Sequence, residues 1–136
     1  MLDLIIKNGS CYIDKDLKGQ DIGIKDGKII KIGKIDSEAK ETFDAKGLTV
    51  LPGCIDTQTH FREPGSTDTE DLHSGSRAAI VGGITSVFEM PNTNPPTSTK
   101  VEFQKKLDLA KNRMYCNYAF YFGATADNAS ELADLV

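Results

Sequence analysis

The sequence is short of cysteine, with three in 136 residues. Cys11, Cys54 and Cys116 lie far apart, form no Cys-x-x-Cys pair and are odd in number. That argues against a disulfide scaffold and for reduced thiols in a cytoplasmic protein. Long apolar runs are also missing. None approaches the roughly 18–20 residues that a bilayer span requires, so no membrane association is expected. The stretch Met1 to Lys7 carries Asp3 inside its apolar residues and no basic region ahead of them, and reads as no secretory signal. A basic excess is lacking too: 16 Lys+Arg stand against 20 Asp+Glu, for a net charge of -4. A general nucleic-acid binder would show a basic patch, so no nucleic-acid partner is expected. No low-complexity tract appears. With 26% charged and 39% hydrophobic residues, the composition is that of a globular protein.

What is present is unevenly spread. Residues 1–52 hold nine basic and nine acidic side chains, whereas residues 53–136 hold seven and eleven. All five prolines fall at Pro52 or later, and so do both histidines. A change of character sits near Leu51-Pro52-Gly53. Two domains are expected, residues 1–52 and 53–136.

The first reads as strands. Leu2 to Ile6 is a short apolar run. Ile22 and Ile24 alternate with Gly23 and Lys25, and Ile30 and Ile32 alternate with Lys31 and Gly33. Asp26-Gly27 between them is a strong hairpin signal, because a type I′ turn needs positive φ twice. Phe43 and Leu48 to Leu51 add strand candidates around a Lys46-Gly47 turn, and only Ser37 to Thr42 hints at a helix. The prediction is a small β-sandwich-type domain with a structural role, since it holds no cluster of His, Cys or acids.

The second reads as strand–helix units. Gly53 to Thr57 is a strand. Thr67-x-x-Glu70 predicts a capping box, followed by a helix bearing Leu72, Gly75, Ser76, Ala79 and Ile80 and stopped by Gly82-Gly83. Ile84 to Phe88 is a β-branched strand. Thr99-x-x-Glu102 caps a second helix with Phe103, Leu107, Ala110 and Met114 on one face. Tyr115 to Phe122 predicts a third strand, and a helix from about Asp127 carries Ala129, Leu132, Ala133 and Val136. Strand centres about 31 residues apart imply a parallel α/β sheet. A TIM (β/α)₈ barrel needs about 250 residues. The expectation is therefore about three βα units at the start of an incomplete barrel, with a self-contained three-stranded α/β domain as the other possibility.

Two segments concentrate candidate chemistry at carboxyl ends of strands, the end that faces the active site in such folds. Around the first strand, alternation puts Asp56, Gln58 and His60 on one face, with Arg62 if the chain stays extended. His60 is either a metal ligand or a hydrogen-bonded histidine. After the second strand comes Glu89-Met90-Pro91-Asn92-Thr93-Asn94-Pro95-Pro96. Arg62 and Asn92 together could hold a substrate carboxylate. The alternative is a Pro-rich turn with Asn side chains on their own backbone and Arg62 paired to Glu63 or Glu89. Glu89 reads equally as a salt-bridge partner or an acid supporting the site. His73 reads as a surface histidine, and Cys54 and Cys116 as small apolar strand residues.

Pro52-Gly53-Cys54-Ile55-Asp56-x-Gln58-x-His60-Phe61-Arg62-Glu63-Pro64-Gly65, followed by Met90-Pro91-Asn92-Thr93, resembles the start of a dihydroorotase of the amidohydrolase superfamily. Hydantoinases and allantoinases share the first motif but look less like the second. The resemblance implies zinc, one or two ions, held in part by a His-x-His motif in which His60 matches the second histidine and Gln58 replaces the first. An amide oxygen is a poorer zinc donor than imidazole, which puts full occupancy in question. It implies that Arg62 and Asn92 bind the substrate carboxylate. The catalytic general base and the other ligands would lie beyond residue 136, so the chain alone is expected to be inactive. The implied activity is hydrolysis of cyclic amides: a metal-activated water interconverts dihydroorotate and N-carbamoyl-aspartate in de novo pyrimidine synthesis. Other readings are a non-catalytic scaffold supporting a partner such as aspartate transcarbamoylase, or a hydantoinase or allantoinase. A homo-oligomer is expected.

Overall fold

The structure, a computed structural model, describes residues 1–132. The chain divides into two compact units, Met1–Pro52 and Gly53–Val136.

The first unit holds seven strands: β1 (Leu2–Lys7), β2 (Ser10–Ile13), β3 (Asp16–Gly19), β4 (Asp21–Lys25), β5 (Lys28–Gly33), β6 (Ala39–Asp44) and β7 (Thr49–Val50). They form one sheet in the order β5-β4-β1-β6 and a second in the order β3-β2-β7. The unit thus holds two separate sheets. The β4–β5 hairpin turns at Asp26 (φ 50°) and Gly27 (φ 70°), with Lys25 opposite Lys28. Both turn residues are left-handed, as a type I′ turn requires. A second hairpin, β2–β3, turns at Asp14 (φ 55°) and Lys15 (φ 66°) with no glycine to announce it. Aspartate tolerates this region because its short polar side chain bonds locally. The helical hint at Ser37 to Thr42 is corrected. β6 runs parallel to β1, from Leu2 opposite Ala39 to Lys7 opposite Asp44. A helix that short is marginal in isolation, and the ladder satisfies the same backbone groups. Leu2, Ile5 and Ile35 form this unit's core, with Ala39 against them.

The second unit contains β8 (Cys54–Thr59), α1 (Leu72–Val81), β9 (Ile84–Glu89), α2 (Lys100–Ala110), β10 (Asn117–Phe120) and α3 (Ala129–Leu132). The sheet order is β10-β9-β8, and both pairings are parallel. Phe61, Leu72, Ala79, Val87, Ala110, Cys116 and Phe120 are the buried core, with Phe103, Leu107 and Met114 packed on it. The predicted face of α2 thus points inward, although the helix ends at Ala110, before Met114. Thr99 caps α2 as predicted, accepting from the Glu102 amide at 3.1 Å.

Four sequence expectations are corrected here. The capping box of α1 is Asp71 with Ser74, not Thr67 with Glu70. Asp71 Oδ1 accepts from the Ser74 amide at 2.6 Å, while the amides of Thr69 and Glu70 turn back to the Ser66 carbonyl. The earlier turn uses up the Thr67 segment before the helix begins. The third strand spans four residues instead of eight, because its only neighbour among the described residues, β9, pairs with Asn117 to Phe120. Cys54 is exposed, so it does not serve as an apolar strand filler, and Cys116 is buried one residue ahead of β10. Ile80 is also exposed, being on the outer flank of α1. The expected positions Ala133 and Val136 of the last helix lie outside the described residues. Among the described residues no helix is long and apolar enough to cross a membrane.

Candidate functional site

Three loops leave the carboxyl ends of β8, β9 and β10, and the chain ties them to one another. The Met90 amide donates to the Thr59 carbonyl at 2.9 Å, and the Asn94 amide to the Pro64 carbonyl at 3.0 Å. Gly65, at φ 124°, lies so close to Asn94 that a Cβ there would sit 3.0 Å from the Asn94 Cβ. The Gly123 amide reaches the Thr97 carbonyl at 2.7 Å. Buried Asn128 donates from Nδ2 to Ser98 O at 2.7 Å and to Gly123 O at 2.8 Å. The Glu63–Pro64 and Asn94–Pro95 peptides are cis.

This frame brings His60 and Asn92 together. His60 Nδ1 lies 2.9 Å from Asn92 Oδ1. An amide oxygen only accepts, so with Asn92 Oδ1 turned to the ring Nδ1 is the donor, and in the neutral imidazole the acceptor nitrogen is then Nε2. That is the arrangement in which a neighbour orients an imidazole for a ligand. Arg62 is exposed beside them, in the left-handed region at φ 60°, which is uncommon for a residue with a side chain. Among the described residues Arg62 pairs with neither Glu63 nor Glu89, and both carboxylates have other partners. Glu63 takes a bidentate contact from Arg113, at 2.8 and 3.1 Å, and accepts from the Leu72 amide at 2.9 Å. It thereby joins the Arg62 loop to the start of α1. Nearby, the ring of Phe61 fills the space over Gly75, where a Cβ would lie 2.4 Å from the ring.

Glu89 is fully buried and contacts Lys106, also fully buried. Burial pushes the Glu89 carboxyl up and the Lys106 ammonium down, and their pairing works against both shifts. Of the two sequence readings of Glu89, the salt bridge is the observed one. Lys106 was missed. Its signal was positional: it lies three residues after Phe103 and four before Ala110, within the inward stripe of α2.

The strict alternation expected for β8 does not hold. Asp56 pairs with Val87 and Thr59 with Glu89, and the register shifts in between. Paired residues share a face, so Asp56 and Thr59 lie on the same side although three positions apart. The bulge frees Thr57 and Gln58 to line an open groove of about 550 Å³ with Met90, Pro91 and Phe122. Asp56 Oδ1 accepts from the Gln58 amide at 2.9 Å. His73 is exposed at α1, 3.2 Å from the Tyr115 hydroxyl and away from this groove, as expected of a surface histidine.

Toward a metal, these residues could offer Nε2 of His60 and the weak amide donor of Gln58. No group of three or more His, Cys, Asp or Glu side chains converges among the described residues. A zinc site takes three or four strong ligands, and the donors described here do not by themselves make up such a set.

The Amidohydrolase family model matches residues 49–133. Allantoinase from Escherichia coli O1:K1 / APEC is 41% identical over 134 residues, covering 98% of this chain and 30% of that protein. Among solved structures, the L-hydantoinase (dihydropyrimidinase) from Arthrobacter aurescens superimposes with a TM-score of 0.91 at 34% identity, covering 99% of this chain and 31% of that one. The D-hydantoinase from Thermus sp. gives 0.80 at 27% identity, covering 98% and 31%. The chain belongs to the amidohydrolase family. It spans about 30% of the length of the curated relatives it matches. These relatives are allantoinases and hydantoinases, which favours the alternative reading of the sequence over its dihydroorotase reading.

Proposed function

We propose that this chain is the N-terminal part of a cyclic amide hydrolase that opens a ureide ring of the allantoin or hydantoin kind. Residues 53–136 would be the first units of a (β/α)₈ barrel, completed by sequence beyond this chain. The observation that carries the reading is 41% identity to allantoinase across nearly the whole chain, loops included. The site residues agree with it. Arg62 offers a planar fork of donors to a ring or side-chain carbonyl, and Asn92 orients His60 while its amide nitrogen remains a donor. His60 Nε2 would be one ligand of a divalent metal, zinc being the expectation. Such a metal would polarise the scissile carbonyl and acidify a water. The remaining ligands and the general base would come from later strands.

A second reading, dihydroorotase activity, keeps one observation in its favour. The Arg62 guanidinium is exposed, with no carboxylate partner among the described residues, as a site for a carboxylate-bearing ring would need. Turnover of allantoin, hydantoin and dihydroorotate by the full-length protein separates the two. Ring opening of allantoin or hydantoin alone is the expected result. Activity confined to dihydroorotate would replace the first reading by the second, and activity on none would remove both. In the same protein Gln58→His should raise bound zinc per chain, counted by elemental analysis. An unchanged count would take Gln58 out of the metal site.

A further inference from the structure

One ammonium group joins both ends of the loop that carries Asn92. Lys106 is 0% exposed. Its Nζ donates to the Met90 carbonyl at 3.2 Å and to Thr97 Oγ1 at 3.4 Å, and contacts the Glu89 carboxylate. An ammonium has three N–H donors; two go to these loop oxygens, and the carboxylate meets the group as an ion pair. The Phe120 ring, 5.0 Å from Nζ, closes another side. Met90 and Thr97 bracket the loop, and Asn92 lies between them. Within the bracket the Thr97 amide donates to the Pro91 carbonyl at 2.9 Å, and Thr97 Oγ1 lies 3.2 Å from Thr93 Oγ1. The bond from the Met90 amide to the Thr59 carbonyl connects the same clamp to the residue before His60. Neutralising Glu89 in the core requires only one of these contacts. The two loop oxygens are additional, and they lie at either end of the segment that carries Asn92.

We propose that Lys106 is a positioning residue. Its ammonium, held by Glu89, clamps Met90 and Thr97 so that Asn92 Oδ1 is held against His60 Nδ1. The consequence for catalysis rests on the proposed function, whereas the clamp itself can be read without substrate.

The test uses the full-length protein, stripped of metal and labelled with ¹⁵N-histidine, so that NMR shows which ring nitrogen of His60 carries the proton. The double variant Lys106→Met/Glu89→Gln removes both charges at nearly constant volume and strands no buried ion. Thr97→Val removes one clamped oxygen and leaves the ion pair alone. Asn92→Ala provides the spectrum of the lost contact. The Nδ1–H form is expected in the wild type, and a spectrum approaching that of Asn92→Ala in the double variant, with a melting temperature near the wild-type value. Thr97→Val should move part of the way, so a double variant that fails to fold does not remove the test. On a ureide ring, with metal restored, KM for the folded variants should rise roughly tenfold or more, as misplacing a positioning group does. A folded variant that keeps the Nδ1–H form would overturn the proposal and reduce Lys106 to a core counter-ion. If the tautomer shifts as expected but no ureide is hydrolysed by the wild type, the clamp stands and the proposed function falls.

Discussion

The two units of this chain use charge in opposite ways. In Met1–Pro52 the ion pairs are on the surface: Lys40–Asp3 at 2.6 Å, Lys18–Asp14 at 3.3 Å and Lys34–Asp36 at 3.7 Å each have at least one exposed partner. Its carboxylates also stitch turns, as when Asp3 Oδ2 accepts from the Asp26 amide and Asp21 Oδ2 from the Ile35 amide. In the second unit two pairs go inward, Glu89–Lys106 completely and Glu63–Arg113 in part, and each holds a loop at the carboxyl end of the sheet. Surface charge solvates a small sheet at little energetic consequence. Buried charge is expensive unless fully paired, so its removal is felt, and it can dictate a single geometry. The difference explains why the candidate chemistry gathers in one unit although both are rich in charge.

The contrast can be broken most forcefully at Lys106. Lys106→Ala leaves the Glu89 carboxylate buried and alone, and should cost about 3–5 kcal/mol of unfolding free energy, read by urea denaturation. Lys40→Ala, on the surface Asp3 pair, should leave the midpoint within error. Equal effects of the two would erase the distinction between the units.

Next is packing under the Arg62 loop. Gly75→Ala would place a Cβ 2.4 Å from the Phe61 ring. A loss of about 1–3 kcal/mol is expected from the forced shift, with a chemical-shift change at Phe61 but not in the first unit. A neutral result would mean that the ring yields freely and does not anchor the loop.

A turn in the first unit should matter less. Gly27→Ala puts a side chain at φ 70° with open space around it. The strain is conformational alone, about 1 kcal/mol, and a thermal melt should show a drop of that order without loss of the sheet.

The smallest effect concerns acid. Hydrogen bonds hold three surface carboxyls, Asp44 exposed and Asp3 and Asp71 half-buried, below the usual carboxylate range: Asp3 through Lys40 and the Asp26 amide, Asp44 through Asn8 and the Lys46 amide, and Asp71 through Ser74. In each, the unfolded state binds the proton more readily than the native state, so stability rises with pH over the window. Their contribution is complete above the ordinary value of 3.8 and is lost as pH falls through the lower native values. Because two of the three lie in the first unit, its amide exchange protection should fade at a higher pH than that of the Glu89 region. Simultaneous loss in both would contradict this.

Much of the fold was readable because its determinants are local. Asp26-Gly27 announces its turn through two adjacent φ angles, and Thr99 caps α2 through an amide three residues away. The stripe Phe103, Leu107, Ala110 needs only the helical period. Where competing local signals existed, the reading slipped. Thr67-x-x-Glu70 looked like a cap, but Asp71 with Ser74 was closer to the apolar face that the helix buries. Ser37 to Thr42 looked weakly helical until β1 offered it a ladder.

The site divides along the same line. From the residues alone came the location of the chemistry, the two loops after β8 and β9, and the candidates His60, Arg62 and Asn92. Strand–helix alternation places those loops at one end of a parallel sheet whatever the side chains do. Only the tertiary structure decided that His60 meets Asn92 across 32 positions, that Glu63 answers Arg113 across 50, and that a lysine in an apolar stripe turns inward to Glu89. It also decided that a register shift in β8 separates Asp56 from Gln58. Pairings of this kind depend on which surfaces the folded sheet and helices bring within about 3 Å, where a hydrogen bond exists at all, and no local period or turn propensity specifies that.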